Sequence, residues 1–212
     1  MPFEEPLERI EITKSSVKAL RKRSRMYLRN LHQKRAVNIL AKEALCIALD
    51  AIQNAAAAKL EVDFLEDGSV RITDDGPGLE IFQRHDTTPF PQSLLTELYA
   101  CSHHKSEETR HFCGIGIVAT NAFSAWLTLD VYKDRIHWQQ SYREGDPTTP
   151  FSAIGGTEKH GNSLHFLPDW SFFRFSEFDR RAFATAFVKL KIPGARASVS
   201  NNLRRMTMTR ES

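Results

Sequence analysis

Three groups of residues have types and spacing that could do chemistry. Glu43 lies in a long apolar-periodic stretch, with Ile47 and Asp50 four and seven residues further on, so all three share one helix face. A carboxylate held there can take a proton from water. The second group is Asp74-Asp75-Gly76-Pro77-Gly78, which ends a strand-type run. An Asp at such a corner can accept a hydrogen bond from a ligand amine, and the glycines let a ligand approach the backbone closely. The third is Gly114-Ile115-Gly116, ahead of an apolar helical segment. Small residues at a helix start leave backbone N–H groups free, and the helix dipole favours an anion there. Each has a plainer reading when taken alone: an exposed helix residue, an ordinary turn, a small-residue loop. Their order and spacing carry the meaning.

The elements that must position these groups follow from periodicity. Val17, Leu20 and Arg21 suit a short helix started at Ser15-Ser16, and Val37, Leu40, Ala44, Ile47 and Ala51 predict a longer one over 36–58. Residues 59–64 and 69–73 read as strands joined by a hairpin turn at Glu66-Asp67-Gly68. A helix over 89–100, an apolar segment over 117–123, strands over 125–133, 135–142 and 162–167, and a helix over 175–189 follow. Strands and helices mix without a regular βαβ alternation, so the expected fold class is α+β, a sandwich rather than a doubly wound sheet. The expected organisation is an N-terminal arm over 1–17, one domain over 18–200 and a flexible basic tail over 201–212.

Composition sets limits on function. The 212 residues suffice to bury a full core, and 29 Lys+Arg against 26 Asp+Glu is too small a surplus to argue nucleic-acid binding. The basic residues gather in 18–35 and at Arg204, Arg205 and Arg210, where a solvated face accounts for them. Three cysteines, Cys46, Cys101 and Cys113, give no disulfide framework and point to a reducing compartment. No secretory signal or membrane-length apolar run is present, so a cytoplasmic location is expected. Cys101, His103, His104, His111 and Cys113 are zinc-ligand types, but their spacing matches no common zinc motif.

Four blocks, in order, resemble the ATPase domain of gyrase B and topoisomerase IV, of the GHKL group with its Bergerat fold. Residues 21–28, RKRSRMYL, resemble R-K-R-P-G-M-Y-I, and their distance to Glu43 agrees without a gap. Residues 65–70 with 73–78 resemble the hairpin and adenine-binding turn. Residues 114–124, GIGIVATNAFS, resemble the phosphate-binding G-V-G-V-x-V-V-N-A-L-S, and 159–169, KHGNSLHFLPD, resemble K-T-G-T-x-V-x-F-W-P-D. The likeness implies a two-layer α/β sandwich, a mixed sheet covered by helices on one face. It places Glu43 at the general base and Asp74 at the acceptor of the adenine amine. Gly76, Gly78, Gly114 and Gly116 fall on the close-approach glycines, with Leu79, Leu94 and Ile117 as apolar lining. Asp50 is retained on the base helix, and Asn162 stands where the family has a threonine.

The departures from the family are chemical, apart from a shorter loop before Gly114, where Arg110 or Lys105 is the alternative source of charge. Ile47 occupies the position of the asparagine that ligates Mg²⁺, and an alkyl chain offers no oxygen, so Mg²⁺ is not expected in its usual place. Cys46 replaces an acidic residue and is too soft a ligand to compensate. Arg110-His111-Phe112-Cys113 stands in for paired lid glycines, and Pro77 for an arginine. The resemblance therefore implies weak ATP or ADP binding with little or no hydrolysis. Two alternatives are a pseudo-ATPase interaction module that binds no nucleotide and an active ATPase with a displaced metal site. It also implies a homodimer through the N-terminal arm or a topoisomerase-related partner, with no membrane and with direct DNA contact not required. The chain is expected to lack the family's second, lysine-bearing domain and its DNA-cleavage module.

Overall fold

The computed structural model describes residues 16–28, 31–54, 56–81, 88–98, 116–190 and 192–210. The helices are α1 (16–22), the single turn α2 (Ser24–Tyr27), α3 (Asn38–Gln53), α4 (Phe90–Thr96), α5 (Ile117–Ala122) and α6 (Arg180–Val188). The strands are β1 (Lys59–Phe64), β2 (Val70–Asp74), β3 (Ser124–Lys133), β4 (Ile136–Arg143), β5 (Asp146–Pro147), β6 (Ser152–Gly156), β7 (Gly161–Pro168), β8 (Ala195–Val199) and β9 (Arg205–Arg210). They form one sheet in the order β5-β4-β3-β7-β2-β1-β9-β8, with β6 also paired to β4. The architecture is the expected two-layer α/β sandwich. The sheet, expected to be mixed, is antiparallel at every pairing among the described residues. Hairpin links such as β1–β2 and β3–β4 reverse the chain with a short turn, whereas parallel neighbours would need long crossovers.

One face of the sheet builds the core. Register aligns Met206, Val62, Ile72, Leu164 and Leu129 across five neighbouring strands, and all five are buried. Burying such side chains contributes about 1.5–3 kcal/mol each, which fixes the register strongly. Over this row lies α3, packed on β1, β2 and β7 and against α5. Its buried stripe of Leu40, Ala41, Ala44, Leu45, Ala48, Leu49 and Ile52 follows the helical period. At its start, the Asn38 side chain donates to the Asp179 carbonyl at 2.8 Å and accepts from the Asp179 N–H at 3.1 Å. Asp179 in turn caps α6 through the Ala182 amide.

Two expectations are corrected here. The supposed flexible tail over 201–212 contains β9, which pairs with β1 along 59–63 and buries Met206 and Met208 completely or nearly so. An alternation of Met with Thr and Arg puts sulfur side chains into the core and polar ones outward, which overrides the local charge. Cys46 is disulfide-bonded, where the low, odd cysteine count led to the expectation of no disulfide framework. Sequence spacing does not tell which thiols tertiary folding brings within bonding distance.

The basic run divides by role. Lys22, Arg23 and Arg25 face outward to varying degrees, whereas Arg21 turns inward. Its guanidinium donates to the Ala122 carbonyl at 2.6 Å and to Asp169 at 2.8 Å, and lies 4.8 Å from the centre of the Phe172 ring. A cation at the carbonyl end of α5 also meets the negative pole of that helix. Arg21→Met is expected to lower stability by about 1–3 kcal/mol in urea unfolding, because it leaves Asp169 and a helix carbonyl without their charged donor. Among the described residues, no helix is long and apolar enough to cross a membrane.

Candidate functional site

Period-two alternation along β2 sends Val70, Ile72 and Asp74 to the helix-covered side of the sheet. Asp74 therefore ends a buried row and is only 8% exposed. Directly opposite it on β7 stands Asn162, itself buried. The Asn162 side-chain amide donates to the Asp74 carboxylate at 3.0 and 3.3 Å, and the Gly76 N–H donates at 2.9 Å. Burial pushes the Asp74 carboxyl up from its ordinary range, and the donors from Asn162 and Gly76 only partly offset this.

The turn beyond Asp74 is held against the sheet on both sides. The Leu79 N–H donates to the Asn162 side-chain oxygen at 2.9 Å. Asp75 accepts from the amides of Ala58 and Lys59, both at 2.8 Å. Gly78 has φ 77°, and a Cβ there would lie 2.8 Å from the Tyr132 carbonyl oxygen. Asp74, Gly76, Leu79 and Asn162 are thus joined in one hydrogen-bonded unit.

The other end of the site is built by α3. Glu43 is fully buried and accepts a 2.9 Å hydrogen bond from the Gly116 amide, which precedes α5. Glu43, Ile47 and Ala51 stand four residues apart on one stripe, and a Cβ at Gly76 would lie 3.2 Å from the Ala51 Cβ. One helical stripe therefore runs from the Gly116 amide to the Asp74 turn, about 12 Å along the axis. Ile47 sits midway and packs against the core. Asp50 is half-buried beyond it. This stripe supplies no oxygen at Ile47, so among the described residues that position offers no ligand for a Mg²⁺ ion between Glu43 and the turn.

Leu94 and Ile117 are core residues where α4 packs on α5, while Leu79 is partly buried beside the turn. Gly114 and the Cys/His stretch over 101–113 lie outside the described residues. Among the described residues, no group of three or more His, Cys, Asp or Glu could hold a metal ion. Sequence reasoning missed Gly161, whose φ of 100° brings β7 against the Asp74 backbone. Its signals in the sequence are its place at the start of an alternating run and its match to the glycine of K-T-G-T.

A helix-covered antiparallel sheet carries a buried strand-end aspartate at a glycine turn and a helix-borne glutamate that meets a second glycine, the arrangement expected of a GHKL-type domain. The sequence relatives make that class narrower. The DNA gyrase B protein of Thermotoga maritima is 30% identical over 176 residues, covering 81% of this chain and 27% of that protein. The novobiocin-resistant DNA gyrase B protein of Streptomyces niveus is 29% identical over 164 residues, 76% of this chain and 24% of that protein. The DNA topoisomerase 4 B protein of Staphylococcus aureus is 28% identical over 166 residues, 76% of this chain and 25% of that protein. The chain belongs with these proteins as a gyrase B-like ATPase domain by homology, and it spans about a quarter of the length of the curated relatives it matches. No protein-family model matches it.

Proposed function

We propose that this chain binds adenine nucleotides weakly and hydrolyses them little or not at all. The observation that carries this reading is the unit formed by Asp74, Asn162, Gly76 and Leu79, with Ile47 on the α3 stripe facing it. Asp74 accepts the adenine amine and Asn162 holds the carboxylate in position. Gly76 and Gly78 let the base lie close to the backbone, with Leu79 as the apolar contact. Glu43 takes the place of a general base, but without an oxygen ligand at Ile47 no metal brings a terminal phosphate into line with it. Asp50 and Asn54 stand too far along α3 to replace that ligand.

Calorimetric titration with ADP and with a non-hydrolysable ATP analogue tests this. Dissociation constants near the high micromolar to millimolar range are expected, about −4 to −6 kcal/mol. Phosphate release is expected to stay at the buffer rate and to be the same in Glu43→Ala. Release that disappears in Glu43→Ala would instead establish an active ATPase with a displaced metal site. A complete lack of binding at millimolar ligand would end the nucleotide reading.

A second reading is a pseudo-ATPase that meets a protein partner, either a topoisomerase-related protein or a second copy through the arm over 1–17. It is favoured by β6, an edge strand whose Ala153, Ile154, Gly155 and Gly156 are exposed. Sedimentation showing only monomer at high concentration counts against the second copy.

A further inference from the structure

We propose that His160 is a positioning residue for the ligand's base, acting through one peptide plane that sets the Asp74 carboxylate. The inference rests on the reading of Asp74 as the adenine acceptor and deepens it. His160 Nδ1 lies 2.6 Å from the Asp75 carbonyl oxygen and 3.2 Å from that of Gly76. A carbonyl only accepts, so Nδ1 carries the proton whether the ring is neutral or charged. The Asp75 carbonyl shares its peptide plane with the Gly76 N–H, and that N–H donates to the Asp74 carboxylate at 2.9 Å. Ring N–H, peptide and carboxylate thus form one continuous chain, in which each hydrogen bond polarises the next.

This plane is the part of the turn that needs a tie. Asp75 is anchored through its own side chain, which accepts from the amides of Ala58 and Lys59. Gly76, on the far side of the plane, has no side chain to resist new backbone angles. A flipped plane would aim the Asp75 carbonyl oxygen at the Asp74 carboxylate, two acceptors with no proton between them. The bond from His160 holds the plane the other way up, so the acceptor is set before a ligand arrives and less ordering is needed on binding. The place of His160 in the chain suits this role. It directly precedes Gly161, which brings β7 against the Asp74 backbone, and Asn162, which donates to the Asp74 carboxylate. His160 also stands where K-T-G-T has its threonine, whose hydroxyl sits one bond nearer the backbone than Nδ1.

Chemical-shift titration of the whole chain with adenosine tests the proposal in wild type, His160→Ala, His160→Asn and Asp74→Asn. Asparagine is the conservative variant, because its NH₂, like Nδ1, is bonded to Cγ. His160→Ala is expected to bind adenosine about tenfold more weakly, and His160→Asn to return to within about threefold of wild type. His160 is exposed, so both variants are expected to unfold near the wild-type urea midpoint. A midpoint that collapses in His160→Ala would make the loss one of fold and overturns the proposal. Unchanged affinity in His160→Ala, with binding weakened in Asp74→Asn, overturns it too and leaves the adenine reading standing. Equal losses in His160→Ala and His160→Asn do the same, because the donor would then not be what matters. If wild type fails to bind adenosine at millimolar concentration, the adenine reading falls and the proposal falls with it. Nitrogen-15 spectra of the wild-type ring give a readout without ligand. At a pH where the ring is neutral the Nδ1-protonated tautomer is expected, and the Nε2-protonated one overturns the proposal.

Discussion

Gly161→Ala is expected to destabilise the domain by about 3–5 kcal/mol, a third or more of the stability of a typical domain. Two costs combine. At φ 100° an alanine occupies backbone space that L-residues rarely adopt, which costs about 1–2 kcal/mol. Its Cβ would also collide with the Asp74 carbonyl oxygen and lie 2.8 Å from the carbon that bears it. Those atoms are backbone and cannot rotate away, so β7 must separate from the end of β2. This is where Asn162 meets Asp74, so the same change should remove ligand binding. Gly116→Ala is the control: its φ is 83°, but the nearest atom to its Cβ would be a Val118 methyl at 3.8 Å. It is expected to lose only about 1 kcal/mol, the cost of the backbone conformation alone. Urea unfolding of the two variants measures the difference. Equal losses would mean that the close approach of β7 to the Asp74 turn carries no weight.

Asp74→Asn is expected to have the largest effect on ligand affinity, about a hundredfold loss for adenosine in calorimetry. The substitution keeps the shape but removes the charge and puts an NH₂ group where an acceptor stood. An adenine amine then faces a donor, and a charged hydrogen bond of about 1.5–3 kcal/mol is lost. The same variant separates binding from stability through pH. Burial raises the folded-state pKa of Asp74 above its unfolded value of about 3.9. The stability it contributes is therefore fully present below that unfolded value and is lost as pH rises through the raised one. Wild type should lose stability relative to Asp74→Asn as pH climbs from about 4 toward neutrality, and urea midpoints at several pH values read this directly. A difference that is flat with pH would show that Asp74 is as well solvated folded as unfolded.

Local periodicity made much of this protein legible. The alternation Val70, Ile72, Asp74 already puts an aspartate on the buried face of a strand, and the four-residue steps Glu43, Ile47, Ala51 already define one helical stripe. Both are properties of a few consecutive residues, so no partner is needed to read them. The similarity of four ordered blocks to the gyrase B domain was likewise carried by residues that can be seen in the chain. What tertiary structure decided involves pairs far apart. Asn162 reaches the Asp74 carboxylate across 88 residues, and the Gly116 amide reaches Glu43 across 73. Neither bond has a local signature, because register between distant strands is set by which rows of side chains become buried together. The C-terminal stretch shows the same limit. Met206 and Met208 alternate with polar residues, yet the arginines around them read as a solvated tail until β1 supplies a partner. The sequence by itself therefore determined the two ends of the candidate site and the residue between them. Only the folded chain joined Asp74 to Asn162 and Glu43 to Gly116, because those bonds depend on burial and pairing that no local pattern encodes.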